Sequence, residues 1–384
     1  MSGRAWDVVV IGAGSVGLPL AMSLAERRMR VLCVDEHASA GQGNNKCAIG
    51  GIRATHSEPA KVALSLHSLE TFRTWEERHG DPIGWHEGGY TYVAYDEKTA
   101  ALLKGMIPTQ QAAGLNIRWI GPEEMRELVP GINPESLLGG TYSPEDGSAH
   151  PVQSGYAFHR RAAALGAEFR FREKVTGLRI EKGRVAAVET DRGSHPCGAV
   201  VNCAGSFAKE VGEMAGVSLP VVPDCHESGI TEPVKRFFHP MVVDIRKAPG
   251  SANYYFYQHD TGQIVFCMTP DPPILGTSID ETSEFLPLVA PRMIDLLPRL
   301  ANLKVRRIWR GNYPQTPDGS PIVDRVGPEN HWAAVGMCGQ GFMLGPGVGD
   351  LVARALAGEP AEGDAAVLHD LRLDRPFSSE EALK

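Results

Sequence analysis

The feature that most constrains this chain is a run of three glycines directly after a short apolar segment near its start. Residues 7–11 read Asp-Val-Val-Val-Ile, and Gly12, Gly14 and Gly17 follow in the spacing GxGxxG before an apolar helical pattern. In such a strand, turn and helix, the first glycine allows the tight turn, the second removes the side chain that would block a pyrophosphate, and the third lets helix and strand pack closely. The amides at the start of the helix then face the anion. The spacing therefore predicts a phosphate-binding turn that opens a βαβ unit.

An acidic residue follows at the place expected in a dinucleotide-binding unit. Asp35 closes a second apolar segment, residues 31–34. A carboxylate at the end of the second strand can accept hydrogen bonds from the ribose of an adenosine group. GxGxxG alone is a weak signal because glycine-rich turns are common, but strand, helix and acid together favour a nucleotide site over a simple turn.

The composition argues against several classes of protein. A chain of 384 residues with 42% hydrophobic and 22% charged residues is long enough for two folded domains and has an ordinary globular composition. Its 46 acidic residues exceed its 38 Lys and Arg residues without long like-charge runs, so we expect neither nucleic acid nor an anionic membrane surface as the main partner. Seven scattered cysteines without CxxC pairs predict reduced thiols, a cytoplasmic location and no metal site. Nothing approaches the length of a transmembrane segment.

The order of the predicted elements indicates two interleaved domains. A loop rich in glycine and asparagine, residues 41–51, follows the opening unit and can let the backbone pass close to a flat ligand. Short strands and helices between residues 85 and 142 have the pattern of an inserted region. The stretch 220–313 is rich in strands and predicts a second sheet, with an amphipathic helix over 286–300 packed against it. A strand over 331–336 and the helix after it return to the first domain.

Several further motifs together resemble a known family. They are the Gly-Gly-Ile-Arg of residues 50–53, the Asn-Cys-Ala-Gly of 202–205, the Tyr-Pro-Gln-Thr-Pro-Asp-Gly of 313–319 and the Gly-Met-Cys-Gly-Gln-Gly-Phe of 336–342. With the first glycine motif and Asp35, they make essentially the whole chain similar to the D-amino-acid-oxidase-like flavoproteins, in the branch with sarcosine oxidase β subunits, glycine oxidase and the β subunit of dye-linked L-proline dehydrogenases.

The resemblance implies a fold and its division into domains. The fold class we expect is α/β, with a Rossmann-like FAD-binding domain interleaved with an α+β substrate domain built on an antiparallel-rich sheet. Residues 1–84, 144–218 and 318–384 would form the FAD-binding domain. Residues 85–143 and 219–317 would form the substrate domain.

The resemblance also implies FAD rather than NAD as the cofactor. A nicotinamide dehydrogenase would not need a second glycine turn near the end of the chain, and in this family that turn presents helix N-terminal amides to the flavin pyrimidine ring, where negative charge accumulates on reduction. The positions expected to bind FAD are Gly12, Gly14, Gly17, Asp35, Glu36, Asn44, Asn45, Lys46, Cys47, Gly50, Gly51, Val175, Ala204, Gly205, Gly339, Gln340, Gly341, Phe342 and Met343.

Two departures from the family pattern refine this expectation. Monomeric sarcosine oxidases attach their flavin to a cysteine shortly before the Thr-Pro-Asp motif, whereas residues 309–313 contain none, so we expect noncovalent FAD. Cys47 and Cys338, in loops beside the flavin, leave a covalent link open as the alternative. Many sarcosine oxidases also carry a lysine after Gly-Phe that grips the substrate carboxylate, and this chain has Met343 there, which looks more like the proline dehydrogenase branch.

Five residues are candidates for contact with the substrate. Arg53 is the nearest cation by motif for a substrate carboxylate, with a structural salt bridge as the alternative. His226 matches a histidine near the flavin in the proline dehydrogenase branch and can titrate near neutral pH, although a lone histidine in a strand is often structural. Tyr255 and Tyr257 share one side of their strand and, with Tyr313, either shape the pocket or pack in the core.

The resemblance implies oxidation of a small amino acid, most simply a secondary amine such as L-proline or sarcosine, at its C–N bond by hydride transfer to flavin N5. The alternatives are oxidation of a 2-hydroxy acid by the same fold, and an FAD subunit that acts only within a larger complex. The electron acceptor, whether oxygen, a quinone or a partner subunit, and the homo- or hetero-oligomeric state are left open by the sequence.

Overall fold

Two large β-sheets and the helices that cover them make up the fold. A computed structural model describes residues 5–378 and 381–383 of the chain. The strands in these residues are β1 (Trp6–Ile11), β2 (Val31–Asp35), β3 (Gly51–Ile52), β4 (Tyr90–Ala94), β5 (Arg118–Ile120), β6 (Gly139–Ser143), β7 (Gly147–Ser148), β8 (Glu168–Phe171), β9 (Val175–Glu181), β10 (Arg184–Thr190), β11 (Gly193–Asn202), β12 (Val222–Pro233), β13 (Met241–Asp244), β14 (Gly250–Gln258), β15 (Gln263–Asp271), β16 (Val305–Gln315), β17 (Ile322–Arg325) and β18 (His331–Val335). The helices are α1 (Gly17–Glu26), α2 (Pro59–Arg73), α3 (Trp75–His79), α4 (Glu97–Ala112), α5 (Pro122–Leu128), α6 (Pro151–Ala164), α7 (Ala208–Met214), α8 (Phe285–Leu296), α9 (Gly341–Ala357) and α10 (Asp364–Asp370). Short 3-10 turns cover Asn44–Cys47, Gly205–Phe207 and Pro298–Asn302.

The first sheet contains the strand that leads into the glycine motif. Its main path runs β17-β18-β11-β1-β2-β8, and β1 is parallel to both of its neighbours, β2 and β11. The apolar side chains of β1 from Val8 onward and those of β2 are buried on both faces, as expected for parallel strands that are covered on both sides. Gly17 lets α1 lie close to this sheet, because a Cβ atom there would come within 1.9 Å of the Gly12 carbonyl oxygen.

An antiparallel extension grows from the same sheet. The sequence predicts two strands over residues 175–180 and 185–190, joined as a hairpin, and β9 and β10 form it. β10 pairs in turn with the first half of β11. The sequence predicts a strand only from residue 199, because the first half of β11 is polar and partly exposed. The second half of β11 is buried and parallel to β1, so one continuous strand serves both parts of the sheet.

The second sheet provides a wall for the cavity described below. It runs β16-β12-β15-β14-β13-β4-β6-β5, and all of its neighbouring strands are antiparallel except β13 and β4. One face packs against α8 through an apolar cluster that includes Phe256 and Phe266. Since successive side chains alternate between faces, the opposite face carries Tyr92, Tyr255 and Ser228, which lie in one row across the strands.

The structure confirms the predicted fold class and corrects two helices. Apolar residues at helical spacing predict one helix over 59–78. The structure divides it into α2 and α3 at Thr74, whose hydroxyl donates a hydrogen bond back to the Glu70 carbonyl at 2.7 Å. The helix predicted over 286–300 ends at Leu296, because the proline at 298 disfavours helical geometry in Leu297 before it.

The domain limits remain a proposal. The inserted strands β4–β6 join β12–β16 in the second sheet, whereas β17 and β18 join the first. This pairing supports the interleaved arrangement given above. Residues 1–4, 379–380 and 384 of the proposed FAD-binding domain lie outside the described part of the chain.

Candidate active site

A cavity of about 550 Å³ lies between the carboxyl ends of the first sheet's parallel strands and the tyrosine-bearing face of the second sheet. This is the place where open α/β sheets bind their ligands, and the volume is in the usual range for ligand sites. Its lining includes these residues predicted to bind the cofactor: Gly12, Gly14, Asp35, Glu36, Asn44, Asn45, Lys46, Cys47, Gly50, Gly51, Val175, Ala204, Gly205, Gly339, Gln340, Gly341, Phe342 and Met343. Gly17 does not line the cavity, because its place is in the packing of α1 on the sheet.

The first glycine turn leaves space where a phosphate would need it. Gly12 has a φ of +104°, and a Cβ atom there would come within 2.6 Å of the Cys203 carbonyl oxygen, so this turn requires glycine. Gly14 differs, because a Cβ atom there would meet no protein atom within 4 Å. The space in front of Gly14, at the start of α1, is therefore open to a ligand that approaches the backbone closely.

Asp35 has backbone partners at the end of β2. Its Oδ2 accepts a hydrogen bond from the Ala13 amide at 2.7 Å, and its Oδ1 accepts one from the His37 amide at 2.8 Å. The carboxylate thus ties the glycine turn to the end of β2 while it lines the cavity. Each carboxylate oxygen can accept more than one hydrogen bond, so Asp35 can also accept one from a ribose hydroxyl. The predicted contact with a ribose stays a proposal.

The loop after β2 is held from several sides. The Asn44 side chain donates to the Ser206 hydroxyl at 2.9 Å and accepts from the Asn312 amide at 3.1 Å. The Cys47 carbonyl accepts from the indole N–H of Trp309 at 2.8 Å. These contacts fix the 44–47 turn between the two sheets, where it lines the cavity.

The second glycine turn ends with unpaired polar atoms. Gly339 has a φ of +79°, and a Cβ atom there would come within 2.2 Å of the Tyr313 ring. Gln340 is buried next to it, and neither its side-chain oxygen nor its side-chain nitrogen has a hydrogen-bond partner within the described residues. A buried amide without partners is costly, so this position indicates that a polar ligand completes the turn.

Comparison with known proteins identifies the family that this geometry serves. The family described as "FAD dependent oxidoreductase" (DAO) matches residues 7–355. The chain belongs to this family. Its cofactor is FAD, and the resemblance inferred from the motifs is confirmed.

The relatives of this FAD-dependent oxidoreductase include solved structures and curated sequences. The structure of L-proline dehydrogenase from P. horikoshii superposes with a TM-score of 0.88 and 30% identity, covering 94% of this chain and 95% of that chain. Mitochondrial dimethylglycine dehydrogenase of Rattus norvegicus is 28% identical over 376 residues, which cover 92% of this chain and 43% of the relative. Sarcosine oxidase subunit beta of Rhodobacter capsulatus is 25% identical over 365 residues, covering 92% and 85%. The chain therefore spans less than half the length of the dimethylglycine dehydrogenases that it matches.

The cavity of this FAD-dependent oxidoreductase fits FAD on two observations, the open space at Gly14 and the unpaired amide of Gln340. We propose that the first turn holds the pyrophosphate and that the Gln340 turn holds the flavin. Cys47 and Cys338 line the cavity as free thiols, and burial raises the pKa of both. Neither cysteine is therefore a ready thiolate, which supports the prediction that FAD is bound noncovalently.

Metal sites and membrane spans are not found in the part of the chain that the structure describes. In residues 5–378 and 381–383, no three His, Cys, Asp or Glu side chains come together in a way that could hold a metal ion. No helix in these residues has the length and hydrophobicity that crossing a bilayer requires.

His226 forms the centre of a buried polar group on the second sheet. Its Nε2 lies 3.0 Å from Asp224 Oδ2, and its ring stacks on Tyr313 with 3.7 Å between the ring centroids. The Tyr313 hydroxyl lies 2.6 Å from that of Tyr255. His226, Tyr255 and Tyr313 line the cavity, so the structure brings three predicted substrate residues together.

The surroundings of this group set its protonation. Burial alone would lower the pKa of His226, but its interactions with the Asp224 carboxylate and the Cys267 thiol raise it above the ordinary value. The Asp224 contact uses Nε2, while Nδ1 is buried and has no hydrogen-bond partner among the described residues. When the ring is neutral with its proton on Nε2, Nδ1 is free to accept a proton. Burial raises the pKa of Tyr255 and Tyr313 well above the ordinary value, so both are neutral hydroxyls near pH 7.

Arg53 lies at another part of the cavity and is almost fully buried. Its Nη1 donates to the Thr55 carbonyl and lies 3.1 Å from His56 Nδ1, and its Nη2 donates to the Leu383 carbonyl. The guanidinium carbon stands 5.7 Å from the ring centre of Tyr92. Arg53 is therefore a fixed cation in the wall, and within the described residues its hydrogen-bond partners include no carboxylate.

Tyr257 is the predicted substrate residue that does not line the cavity. Its hydroxyl donates to the Ile49 carbonyl at 2.6 Å, and its ring is buried in the cluster between the sheet and that loop. Tyr255 and Tyr257 share one face of β14. Tyr257 lies two residues further along the strand, where the 49–51 loop covers it. The structure therefore gives Tyr257 a role in supporting the cavity wall.

We expect Tyr257→Phe to destabilise the protein without impairing catalysis. The change leaves the buried Ile49 carbonyl without its donor, which costs about 1–3 kcal/mol. Thermal unfolding of the FAD-loaded protein would measure the loss, with Tyr156→Phe, at a residue that is 58% exposed, as a neutral control. A tenfold slower flavin reduction at full FAD content would instead place Tyr257 in contact with the reacting groups.

Sequence reasoning missed Asp224, Tyr90, Tyr92 and Ser228. The last three line the cavity, and Asp224 is the partner of His226. The signal for Asp224 was present, since residues two apart in a strand share a face. Tyr90 and Tyr92 show the same alternation in β4, but only the pairing of β4 with β13 brings them beside the FAD-binding domain.

Proposed function

We propose that this FAD-dependent oxidoreductase oxidises a small amino acid, a secondary amine such as L-proline or sarcosine, at its C–N bond to an imine. The observation that carries the proposal is one cavity that offers a buried cation, Arg53, and a histidine with a free buried nitrogen, His226. An amino acid presents a carboxylate and an amine that match these two groups. The similarity to L-proline dehydrogenase from P. horikoshii over 94% of the chain supports the same reading.

At the amine end of the substrate, His226 would accept a proton, with the hydroxyls of Tyr255 and Tyr313 beside it. Loss of the amine proton to His226 Nδ1 leaves a nitrogen lone pair that assists departure of a hydride from the adjacent carbon. The chemistry that bound FAD supplies is acceptance of that hydride with its electron pair. Asp224 holds the ring by Nε2 and stabilises the imidazolium that forms, in the way that a carboxylate orients a catalytic histidine.

At the carboxylate end, Arg53 would act with the hydroxyls of Tyr90 and Tyr92. Both tyrosines line the cavity, and burial raises the pKa of Tyr92 to about 12 and that of Tyr90 well above its ordinary value. Both are therefore neutral hydrogen-bond donors near pH 7. Hydrogen-bond donors beside a fixed cation suit a carboxylate. They would take the place of the lysine that many sarcosine oxidases carry where this chain has Met343.

The proposal is tested by mixing the FAD-loaded protein anaerobically with L-proline, sarcosine, glycine, D-alanine and 2-hydroxyglutarate. We expect a secondary amino acid to bleach the visible flavin band and to yield an imine product. Admitting air then shows whether oxygen or another acceptor is used. Bleaching by 2-hydroxyglutarate alone would support the hydroxy-acid alternative. Bleaching by none of the five would contradict the proposal for the isolated chain and would direct the test to a complex with a partner subunit.

A further inference from the structure

Residues 381–383 lie against the cavity wall from outside. The Glu381 amide donates to the Asp318 carbonyl at 2.9 Å, and Asp318 belongs to the Thr-Pro-Asp motif. Glu381 and Leu383 are buried, with 2% and 0% of their surfaces exposed. A segment this far along the chain is therefore part of the folded wall.

The Glu381 carboxylate makes a buried ion pair. Its Oε2 lies 2.7 Å from Lys61 Nζ, and neither side chain is exposed. Its Oε1 accepts from the amide and the hydroxyl of Ser57 at 3.0 and 2.8 Å. Lys61 Nζ also donates to the Gly319 carbonyl at 3.1 Å. Lys61 thus joins α2, the Thr-Pro-Asp loop and the 381–383 segment.

The same segment reaches the residues that line the cavity. The Leu383 side chain packs in one apolar cluster with Tyr90 and Tyr92, and its carbonyl accepts from Arg53 Nη2. Within the described residues, the other hydrogen-bond partners of Arg53 are the Thr55 carbonyl and His56, which follow it directly in the chain. Among the hydrogen-bond partners that the described residues give Arg53, Leu383 is therefore the one distant in sequence, and it holds the direction of the Arg53 side chain.

We propose that the 381–383 segment is a positioning element for substrate binding: the ion pair between Glu381 and Lys61 holds the segment in place, and the Leu383 carbonyl holds Arg53 in the orientation that receives the substrate carboxylate. The proposal rests on the proposed function in taking Arg53 as the carboxylate partner. Glu381 itself is a positioning residue, because it acts through Arg53.

The charges around Glu381 are consistent with a pair that stays ionised. Burial would raise the pKa of Glu381, but the cations of Lys61 and Arg53 hold it well below the usual range. Removing the carboxylate leaves Lys61 buried without its counter-charge, which is the costly half of a broken buried pair. Without the ion pair, the 381–383 segment is held less firmly against the cavity wall.

The test compares Glu381→Gln with the unaltered FAD-loaded protein. We expect KM for the substrate to rise about tenfold or more while kcat and FAD content stay within about twofold, because uniform binding is lost and the chemistry at His226 is not touched. The dissociation constant of acetate, measured by its perturbation of the flavin spectrum, should rise in parallel. Glu362→Gln, at an exposed glutamate, is the matched control and should change none of these quantities.

A second variant keeps the test decisive if Glu381→Gln does not fold. Leu383→Ala preserves the ion pair and loosens the segment only at its contact with the tyrosines and Arg53, and it should raise KM and the acetate dissociation constant with kcat preserved. A fall in unfolding temperature without a change in KM or acetate binding would overturn the proposal and leave a purely structural role. A rise in KM without weaker acetate binding would overturn it as well.

Failure of the proposed function has a different signature. In that case the unaltered protein is bleached by no secondary amino acid, whatever its 381–383 segment does. The acetate measurement still compares the variants directly. Unchanged acetate binding in Leu383→Ala would then overturn the positioning role independently.

Discussion

Replacement of His226 by glutamine is expected to slow anaerobic reduction of the flavin by the substrate about 10²–10⁴-fold, the usual contribution of a positioned acid or base. This corresponds to roughly 3–5.5 kcal/mol in the barrier. Glutamine can still donate a hydrogen bond toward Asp224 but offers no imidazole to take the amine proton. Stopped-flow measurement of the bleaching rate at saturating substrate would report the loss, while FAD content should be unchanged.

The pH dependence gives this prediction a second readout. A base must be neutral to accept a proton, so reduction should be fast above the pKa of His226 and should slow as the pH falls through it. This fall in rate is the acid limb of the pH profile. Because the pKa of His226 is raised, the acid limb should lie above the pH at which an ordinary histidine titrates. In His226→Gln the limb should be absent, apart from titration of the substrate amine itself, which the substrate's own pKa identifies.

A matched control separates base loss from general damage. His331 is also buried and also has one ring nitrogen, Nε2, without a partner in the described residues, but it does not line the cavity. The flavin of the His331→Gln variant should therefore be reduced by the substrate at the normal rate, even if the substitution lowers the stability of the protein. If His226→Gln keeps the normal rate and its pH limb, the proton is taken by another group and His226 is a structural residue.

Much of the fold was readable because its signals are local. The glycines of the first turn, the apolar strands β1 and β2 and the hairpin of β9 and β10 are specified by neighbours in sequence, and the structure has them where they were predicted. The two helix errors came from single residues. Thr74 and Pro298 interrupt apolar patterns that would otherwise continue, and a periodicity count does not register such interruptions.

The candidate site was harder because its contacts are distant in sequence. His226 and Tyr313 could be named from motifs, but their stacking depends on the pairing of β12 with β16. Tyr255 and Tyr257 have the same pattern, yet only the fold places the 49–51 loop over one of them. The contact between Arg53 and Leu383 spans nearly the whole chain, and nothing in the local sequence at either end signals it.

Replacement of Gly14 by leucine is expected to yield a folded protein without bound flavin. A Cβ atom at this position meets no protein atom within 4 Å, and the backbone φ of Gly14 is not in the left-handed region, so we expect the fold to tolerate a side chain here. The same side chain would fill the space that the proposed pyrophosphate site needs. We expect FAD affinity to fall by at least about 10³-fold, or roughly 4 kcal/mol, because close approach to the backbone amides is lost.

Isothermal titration of the apoprotein with FAD would measure the loss, and circular dichroism would check the fold. Gly14→Ala should have a smaller effect, since a methyl group fills less of the space. Gly105→Leu is the matched control, because Gly105 lies exposed on α4 and a Cβ atom added there also meets no protein atom within 4 Å. Normal FAD binding by Gly14→Leu would place the pyrophosphate elsewhere in the cavity. A misfolded Gly14→Leu protein would mean that the open space serves the fold itself, and the graded alanine variant would then decide whether FAD binding and stability fall together or separately.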